Sequence, residues 1–76
     1  MQAHAELDAI DLKCPLPVLK ARKALKALEA GQVLRVLAND PKSPQDMQAF
    51  CDTSGHVLLA MQISQTPFEF LIEKRA

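Results

Sequence analysis

A single cysteine within a proline-rich tetrapeptide is the residue of this chain best suited to covalent chemistry. Cys14 opens the tetrapeptide Cys14-Pro15-Leu16-Pro17, just before a stretch with helical periodicity. At the start of a helix, N–H groups without an intrahelical acceptor and the positive end of the macrodipole stabilise a thiolate. The sequence therefore predicts a lowered pKa for the Cys14 thiol and a reactive nucleophile at neutral pH.

The prolines predict a rigid turn around the sulfur. With Cys14 as the N-cap, Pro15 and Pro17 hold the first turn but have no N–H to donate. The backbone donors nearest the sulfur are then those of Leu16 and Val18.

Two lysines are expected to add positive charge near the thiol, namely Lys13 next to it and Lys20 one to two turns further on. Both would favour the thiolate. The competing interpretation is that Cys14 is only an N-cap, at a position where Ser, Thr, Asp or Asn is more common.

Several thiol chemistries lack a necessary partner in this sequence. Exchange of the thioredoxin kind needs a second cysteine three residues on, and that position is Pro17. A cysteine hydrolase needs a histidine base, but His4 lies in a predicted tail and His56 at the start of a strand. A zinc site from Cys14, Cys51 and these histidines would lack ligand spacing, and we expect no metal or cofactor. A thiol without these partners suits the transfer of a group between other proteins.

Size and composition predict one small domain over residues 1–76, with 1–5 as a loose tail. The 76 residues are 49% hydrophobic with three Phe and no Trp or Tyr, so a mainly aliphatic core is expected. The formal net charge of zero favours neither nucleic acid nor an anionic membrane as a partner. Two widely spaced cysteines, without a signal-like or membrane-spanning segment, predict a cytoplasmic protein.

The periodicity of apolar residues predicts the order strand, helix, strand, helix, strand, strand. The predicted spans are strands over 7–12, 32–38, 56–64 and 68–73, and helices over 17–29 and from 43 to about 54. Gly31 is expected to end the first helix, and Ser43 with Asp46 to form a capping box for the second. The first two strands should be parallel and the last two should form an antiparallel hairpin.

The first predicted helix has a face suited to binding a partner. Its apolar arc should face the sheet and consists of Val18, Ala21, Ala24, Leu25 and Leu28. The opposite half carries two leucines and four cations, namely Leu16, Leu19, Lys20, Arg22, Lys23 and Lys26. An apolar pair ringed by cations beside a thiol is a candidate docking patch for an acidic protein surface. The alternative is a solvated lysine-rich face, and without aromatic residues it is poorly suited to nucleic acid.

Other polar or reactive residues have structural explanations. Cys51 continues an apolar helical stripe with Phe50 and is expected to be a buried hydrophobic residue. His56 is expected at a strand edge or turn, and Asp40 and Asp46 are expected as turn and cap residues.

These residues together resemble the TusA/SirA-like sulfur-carrier family. The cysteine tetrapeptide is similar to the family's CPxP signature, and the likeness covers nearly the whole chain. It comprises 7–20, 22–25, Asp40-Pro41, Asp46, Phe50-Cys51, Gly55-His56 and 70–74. The chain departs from the family at three positions, because glycine is frequent where Asp11 stands, arginine where Lys13 stands, and glutamate in some members where Leu16 stands. The last difference removes a charge that could contact a partner beside the thiol.

The resemblance implies a fold, a reaction and partners. The implied fold is an α/β (α+β) two-layer sandwich of order βαβαββ, with a four-stranded mixed sheet and two helices on one face. Cys14 is expected to accept a sulfane sulfur as a persulfide from a cysteine desulfurase or rhodanese-like donor and to pass it to an acceptor protein. Members of the family serve tRNA 2-thiouridine formation, molybdenum-cofactor-related sulfur supply or sulfur oxidation. The alternatives are a regulatory module that docks through its basic helix, with Cys14 only as a cap, and a redox sensor.

Overall fold

The computed structural model describes residues 3–75 and contains six regular elements. In chain order they are β1 (Ala5–Ala9), α1 (Leu16–Lys26), β2 (Val33–Ala38), α2 (Ser43–Ser54), β3 (Val57–Gln62) and β4 (Phe68–Glu73). The sheet order is β1-β2-β4-β3, with β1 and β2 parallel and the other two pairs antiparallel. The predicted order βαβαββ, the mixed four-stranded sheet and the two-layer class are confirmed.

Both helices cover the same face of the sheet. α1 packs on β1 and β2, α2 packs on β3 and β4, and the helices contact each other. The predicted apolar arc of α1 is confirmed, because Ala21 and Leu25 are buried and its other members are partly buried against the core. From the central strands β2 and β4, alternate side chains such as Val36 and Phe70 complete this core.

β1 begins earlier than predicted. Ala5 is its first residue, and the N–H of His4 donates to the carbonyl oxygen of Val33 at 2.8 Å. The predicted tail therefore does not include His4 and Ala5, and its residues 1–2 lie outside the described part of the chain.

β1 also ends earlier than predicted, at Ala9. Asp11 has a positive φ of 69°, and the N–H of Leu12 donates to the carbonyl oxygen of Ala9 at 3.2 Å. These features turn the chain away from the sheet, because a residue with positive φ cannot continue a strand.

α1 is shorter than predicted at its C-terminal end. It ends at Lys26, and the next two N–H groups donate to carbonyls three residues back instead of four, in the tighter 3₁₀ pattern. Gly31 does not cap the helix. It adopts a φ of 91° in the turn that follows, and its N–H donates to the carbonyl oxygen of Lys74 at 2.8 Å.

α2 ends as predicted but begins differently. Gly55 has a φ of 86°, and its N–H donates to the carbonyl oxygen of Cys51 at 3.0 Å. The capping box does not form, because Lys42 is the N-cap and the Ser43 hydroxyl is buried without a hydrogen-bond partner in the described chain. Instead Asp40 stabilises the turn, accepting the N–H of Ser43 on its carbonyl at 2.9 Å and that of Lys42 on its Oδ1 at 2.8 Å.

The predicted hairpin of the last two strands is confirmed, with a β-bulge between Leu58 and Ala60. The Cys14–Pro15 and Thr66–Pro67 peptide bonds are cis. Neither α1 nor α2, the helices found in 3–75, has the length and apolar character needed to cross a membrane.

Candidate functional site

Cys14 lies in the segment that links β1 to α1. This segment is at the edge of the sheet where the parallel strands β1 and β2 both end, which is where α/β sheets commonly bind ligands. The Cys14 side chain is exposed and its thiol is free. Its backbone N–H donates to Oδ2 of Asp40, in the segment after β2, at 3.1 Å. The topology thus places the thiol at an accessible edge, with its backbone attached to the neighbouring loop.

Cys14 is not the N-cap of α1. Pro15 has that position, so Cys14 precedes the cap, and Pro17 is the second helical residue. The N–H of Leu16, predicted to lie free near the sulfur, donates to the carbonyl oxygen of Lys13 at 2.8 Å. Because the effect of the macrodipole decays within the first turn, a residue before the cap receives less of it.

The pKa of the Cys14 thiol is shifted in the direction opposite to the prediction. The Asp46 carboxylate, in the first turn of α2, raises the pKa of Cys14 chiefly through hydrogen bonding to the thiol, and desolvation adds to the rise. Such a bond favours the protonated form. The cation that opposes the rise in pKa is Lys42, not Lys13 or Lys20 as predicted. Cys14 is therefore a protonated thiol at neutral pH in the resting protein.

The Cys14 thiol lines an open groove of about 270 Å³ between α1 and α2. The groove is mostly apolar, with Val18 on one wall and Phe50 on the other, and its charged residues are Asp46 and Arg22. The Arg22 guanidinium carbon lies 5.5 Å from the centroid of the Phe50 ring, at cation–π distance. The groove therefore presents an apolar surface beside the thiol, with one negative and one positive group.

The residues predicted to form one docking patch lie on different sides of α1. The two leucines are exposed as expected, Leu16 by 43% and Leu19 by 51%. On the side facing β1 lie Lys20 and Lys23, and on the side facing α2 lie Arg22 and Lys26. The cations thus form two flanks of the helix, and only the flank facing α2 adjoins the thiol groove.

Comparison with known proteins decides the family. The sequence model described as Sulfurtransferase TusA matches residues 5–74. This chain belongs to the TusA sulfurtransferase family. The crystal structure of the SirA-like protein from Desulfitobacterium hafniense is similar to it, with a TM-score of 0.79 and 30% sequence identity over 95% of this chain and 99% of that one. Membership supports a sulfur-carrier role in general.

The second cysteine of this TusA-family chain lies away from the surface. Cys51 is buried in the core, as predicted. Burial, followed by the negative charge of Asp52, raises the pKa of Cys51 to about 11. Its thiol is therefore protonated and inaccessible at neutral pH, unlike the exposed Cys14.

The histidines have structural partners. His56 accepts the backbone N–H of Arg75 on its Nδ1 at 3.0 Å, and burial lowers its pKa. His4 accepts the N–H of Val33 on its Nδ1 at 3.0 Å. Within residues 3–75, no three His, Cys, Asp or Glu side chains are grouped closely enough to hold a metal ion.

Two aspartates act on Cys14. Asp40 also has the turn role predicted for it, whereas the cap predicted with Asp46 does not form. Asp46 raises the pKa of the thiol, and Asp40 accepts the backbone N–H. Hydrogen bonds from the N–H groups of Lys42 and Cys14 lower the pKa of Asp40, so it is a carboxylate at neutral pH. The sequence holds a signal for Asp40, because it follows a strand predicted to be parallel to the one before Cys14. The proximity of Asp46 depends on how α2 packs beside α1, which no local pattern encodes.

Proposed function

We propose that Cys14 accepts a sulfane sulfur as a persulfide and passes it to an acceptor protein. The observation that carries this proposal is an exposed free thiol on an open groove, in a chain of the TusA sulfurtransferase family. A groove of about 270 Å³ is at the small end of ligand sites, and it suits the end of one side chain of a partner better than a large substrate.

The transfer needs no external oxidant. Deprotonated Cys14 attacks the terminal sulfur of a donor persulfide, R–S–SH, and a bond forms between that sulfur and Cys14 Sγ while the donor S–S bond breaks. The donor sulfur leaves with the electron pair as a thiolate and takes up a proton equivalent to the one that Cys14 released. The products are R–SH and Cys14–S–SH. An acceptor thiolate repeats the same exchange and removes the sulfur.

The Asp46 carboxylate lines the same groove as Cys14 and raises the pKa of the thiol. The raised pKa of Cys14 keeps the resting sulfur protonated, and only a thiolate reacts quickly. A thiol of higher pKa is also the stronger nucleophile once deprotonated and the poorer leaving group, so the transferred sulfur is retained until an acceptor attacks it.

The donor is a cysteine desulfurase or a rhodanese-like protein, and the acceptor is a downstream protein in tRNA thiolation, molybdenum-cofactor sulfur supply or sulfur oxidation. Leu16 and Leu19, with Arg22 and Lys26 on the flank facing α2, provide an apolar and basic docking surface for acidic partners. A cytoplasmic setting is part of this proposal, because the reaction needs a reduced Cys14.

Incubation with a cysteine desulfurase and cysteine tests the reaction. Intact-mass analysis should find one added sulfur atom, removed by reductant and localised to Cys14. Cys14→Ser should abolish the addition, and Cys51→Ser, the matched control, should retain it. An adduct of equal yield in Cys14→Ser would contradict the proposal.

A second candidate function is favoured by the raised pKa of Cys14 and by the exposed leucines beside it. In this alternative the chain is a regulatory module that docks through α1, and the thiol has no chemical role. It predicts that Cys14→Ser retains both partner binding and cellular activity, whereas Leu19→Asp loses them.

A further inference from the structure

We propose that Asp11 and Asn39 form a latch that positions the Cys14 segment for transfer. The latch joins the β1–α1 segment to the β2–α2 segment, and Asp11 and Asn39 are positioning residues, since neither touches the reacting sulfur. Its role in transfer rests on the function proposed above, whereas its effect on the conformation of Cys14 does not.

The Asn39 side-chain amide bonds Asp11 through both of its polar groups, one to the backbone N–H and one to the carboxylate. Asn39 Oδ1 accepts the backbone N–H of Asp11 at 2.8 Å, and Asn39 Nδ2 donates to Asp11 Oδ1 at 3.0 Å. The next residue, Asp40, accepts the N–H of Cys14 at 3.1 Å. Two adjacent residues at the end of β2 therefore hold both ends of the segment 11–14.

The backbone of Asp11 explains why this pairing matters. Its φ of 69° lies in the left-handed region, which residues other than glycine rarely adopt. Asp and Asn enter this region more readily than other residues because their short polar side chains form local hydrogen bonds. The direction of the chain from Asp11 to Cys14 depends on that angle. If Asp11 returned to negative φ, the Cys14 N–H would be carried away from Asp40.

Packing does not replace the latch. An open cleft of about 350 Å³ lies between the two segments, and residues 11–13 and 39–41 line it. Hydrogen bonds across this cleft therefore join the segments where side-chain packing is incomplete. Loss of the Asn39 amide should release Asp11 and loosen the link between Cys14 and Asp40.

Asn39→Ala in the full chain tests the latch. We expect faster amide hydrogen exchange at Cys14 and a shifted pH profile for its alkylation. Sulfur loading from a desulfurase should slow about tenfold at saturating donor, with little change in the donor concentration at half-maximal rate, because a small misplacement of a reacting group costs rate more than docking. Asp8→Ala is the matched control, since Asp8 Oδ1 accepts the N–H of Ile10 at 3.0 Å in the same turn without crossing the cleft. It should leave all three measurements unchanged.

A second substitution distinguishes a positioning role of the latch from a general loss of stability. Asp11→Gly in the Asn39→Ala background should restore most of the loading rate and of the Cys14 amide protection, because glycine adopts positive φ without the Cβ penalty. If Asn39→Ala alone does not fold, a double variant that folds and loads sulfur supports the latch. Absence of rescue in folded protein, or unchanged Cys14 exchange in Asn39→Ala, overturns it. Wild-type protein that never loads sulfur, together with altered Cys14 exchange in Asn39→Ala, overturns the proposed function and retains the latch as a conformational device.

Discussion

The two cysteines of this chain have the same side chain in opposite surroundings. Cys14 is exposed in a loop, whereas Cys51 is 4% exposed within the core. The pKa is raised at both thiols. The largest cause at Cys14 is hydrogen bonding to Asp46, and the largest cause at Cys51 is burial. Acidity in the resting protein therefore does not distinguish the exposed thiol from the core thiol, and access to the sulfur does.

The causes of the two pKa shifts differ in how they can be reversed. The shift at Cys51 persists until the core opens, because it comes from desolvation. The shift at Cys14 comes first from the Asp46 carboxylate beside an open groove, with further contributions from desolvation and from Asp40. The comparison thus indicates that the pKa of Cys14 can change without unfolding, whereas Cys51 stays protonated near neutral pH until the core opens.

The largest expected difference between the two thiols is their alkylation rate in the native protein. Iodoacetamide should modify Cys14 about 1000-fold or more faster than Cys51, because Cys51 reacts only after an opening that costs several kcal/mol. Peptide mass spectrometry over a time course measures both rates. The rates should converge in concentrated guanidinium chloride. Similar rates in native protein would contradict the assignment of Cys51 to the core.

The second-largest expected effect is a loss of folding stability at alkaline pH that is caused by Cys51. Because its pKa is raised from 9.0 to about 11 on folding, the unfolded chain loses this proton first as pH rises. The resulting stabilisation is present below pH 9.0 and is lost as pH approaches about 11. The loss should be roughly 1–2 kcal/mol after allowance for solvent screening. Urea unfolding on either side of this range measures it.

Variants that each lack one cysteine show which thiol causes the alkaline loss of stability. Cys51→Ala should remove most of the difference attributed to the thiol, and Cys14→Ser should retain it. If Cys51→Ala retains the full alkaline loss, other groups cause it and the buried thiol does not.

Asp46→Asn tests the cause of the Cys14 shift. Without the carboxylate charge, the pKa of Cys14 should fall towards its ordinary value, and its alkylation near pH 7 should become severalfold faster. The matched control is Asp52→Asn, because Asp52 acts on Cys51. A full pH–rate profile distinguishes a change in pKa from a change in access. An unchanged profile in Asp46→Asn would falsify the carboxylate as the cause.

The smallest expected effect concerns the aromatic side chain that lies between the Cys14 groove and the core around Cys51. Phe50 lines the Cys14 groove and belongs to the same core as Cys51, and Arg22 covers its ring. Arg22→Gln should lower the free energy of unfolding by about 0.5–1 kcal/mol through loss of the cation–π contact. Lys23→Gln on the other flank should stay within about 0.5 kcal/mol of wild type. Equal effects of the two substitutions in chemical denaturation would contradict a specific role for Arg22.

The predicted element order was confirmed because apolar periodicity reports local structure directly, but the predicted end of β1 was wrong because a side chain from a distant loop bonds the chain there. β1 ends early at a turn where Asn39, which follows β2, bonds Asp11. The capping box of Ser43 fails because Asp40 stabilises that turn instead. The Asn39–Asp11 bonds depend on which loops the sheet brings together, so no window of consecutive residues contains both partners. The Asp40 turn is local, since its partners lie two and three residues away, and there a turn formed in place of the predicted cap.

The sequence by itself determined that Cys14 is the candidate nucleophile, that Cys51 is a core residue and that the chain folds in the order βαβαββ. Each of these follows from composition, motif or periodicity, which are local properties. Only the tertiary structure decided the direction of the Cys14 pKa shift, because electrostatic and hydrogen-bonding effects act through space and Asp46 belongs to the other helix. It also divided the cations of α1 between two flanks, since their surroundings depend on where β1 and α2 lie beside the helix.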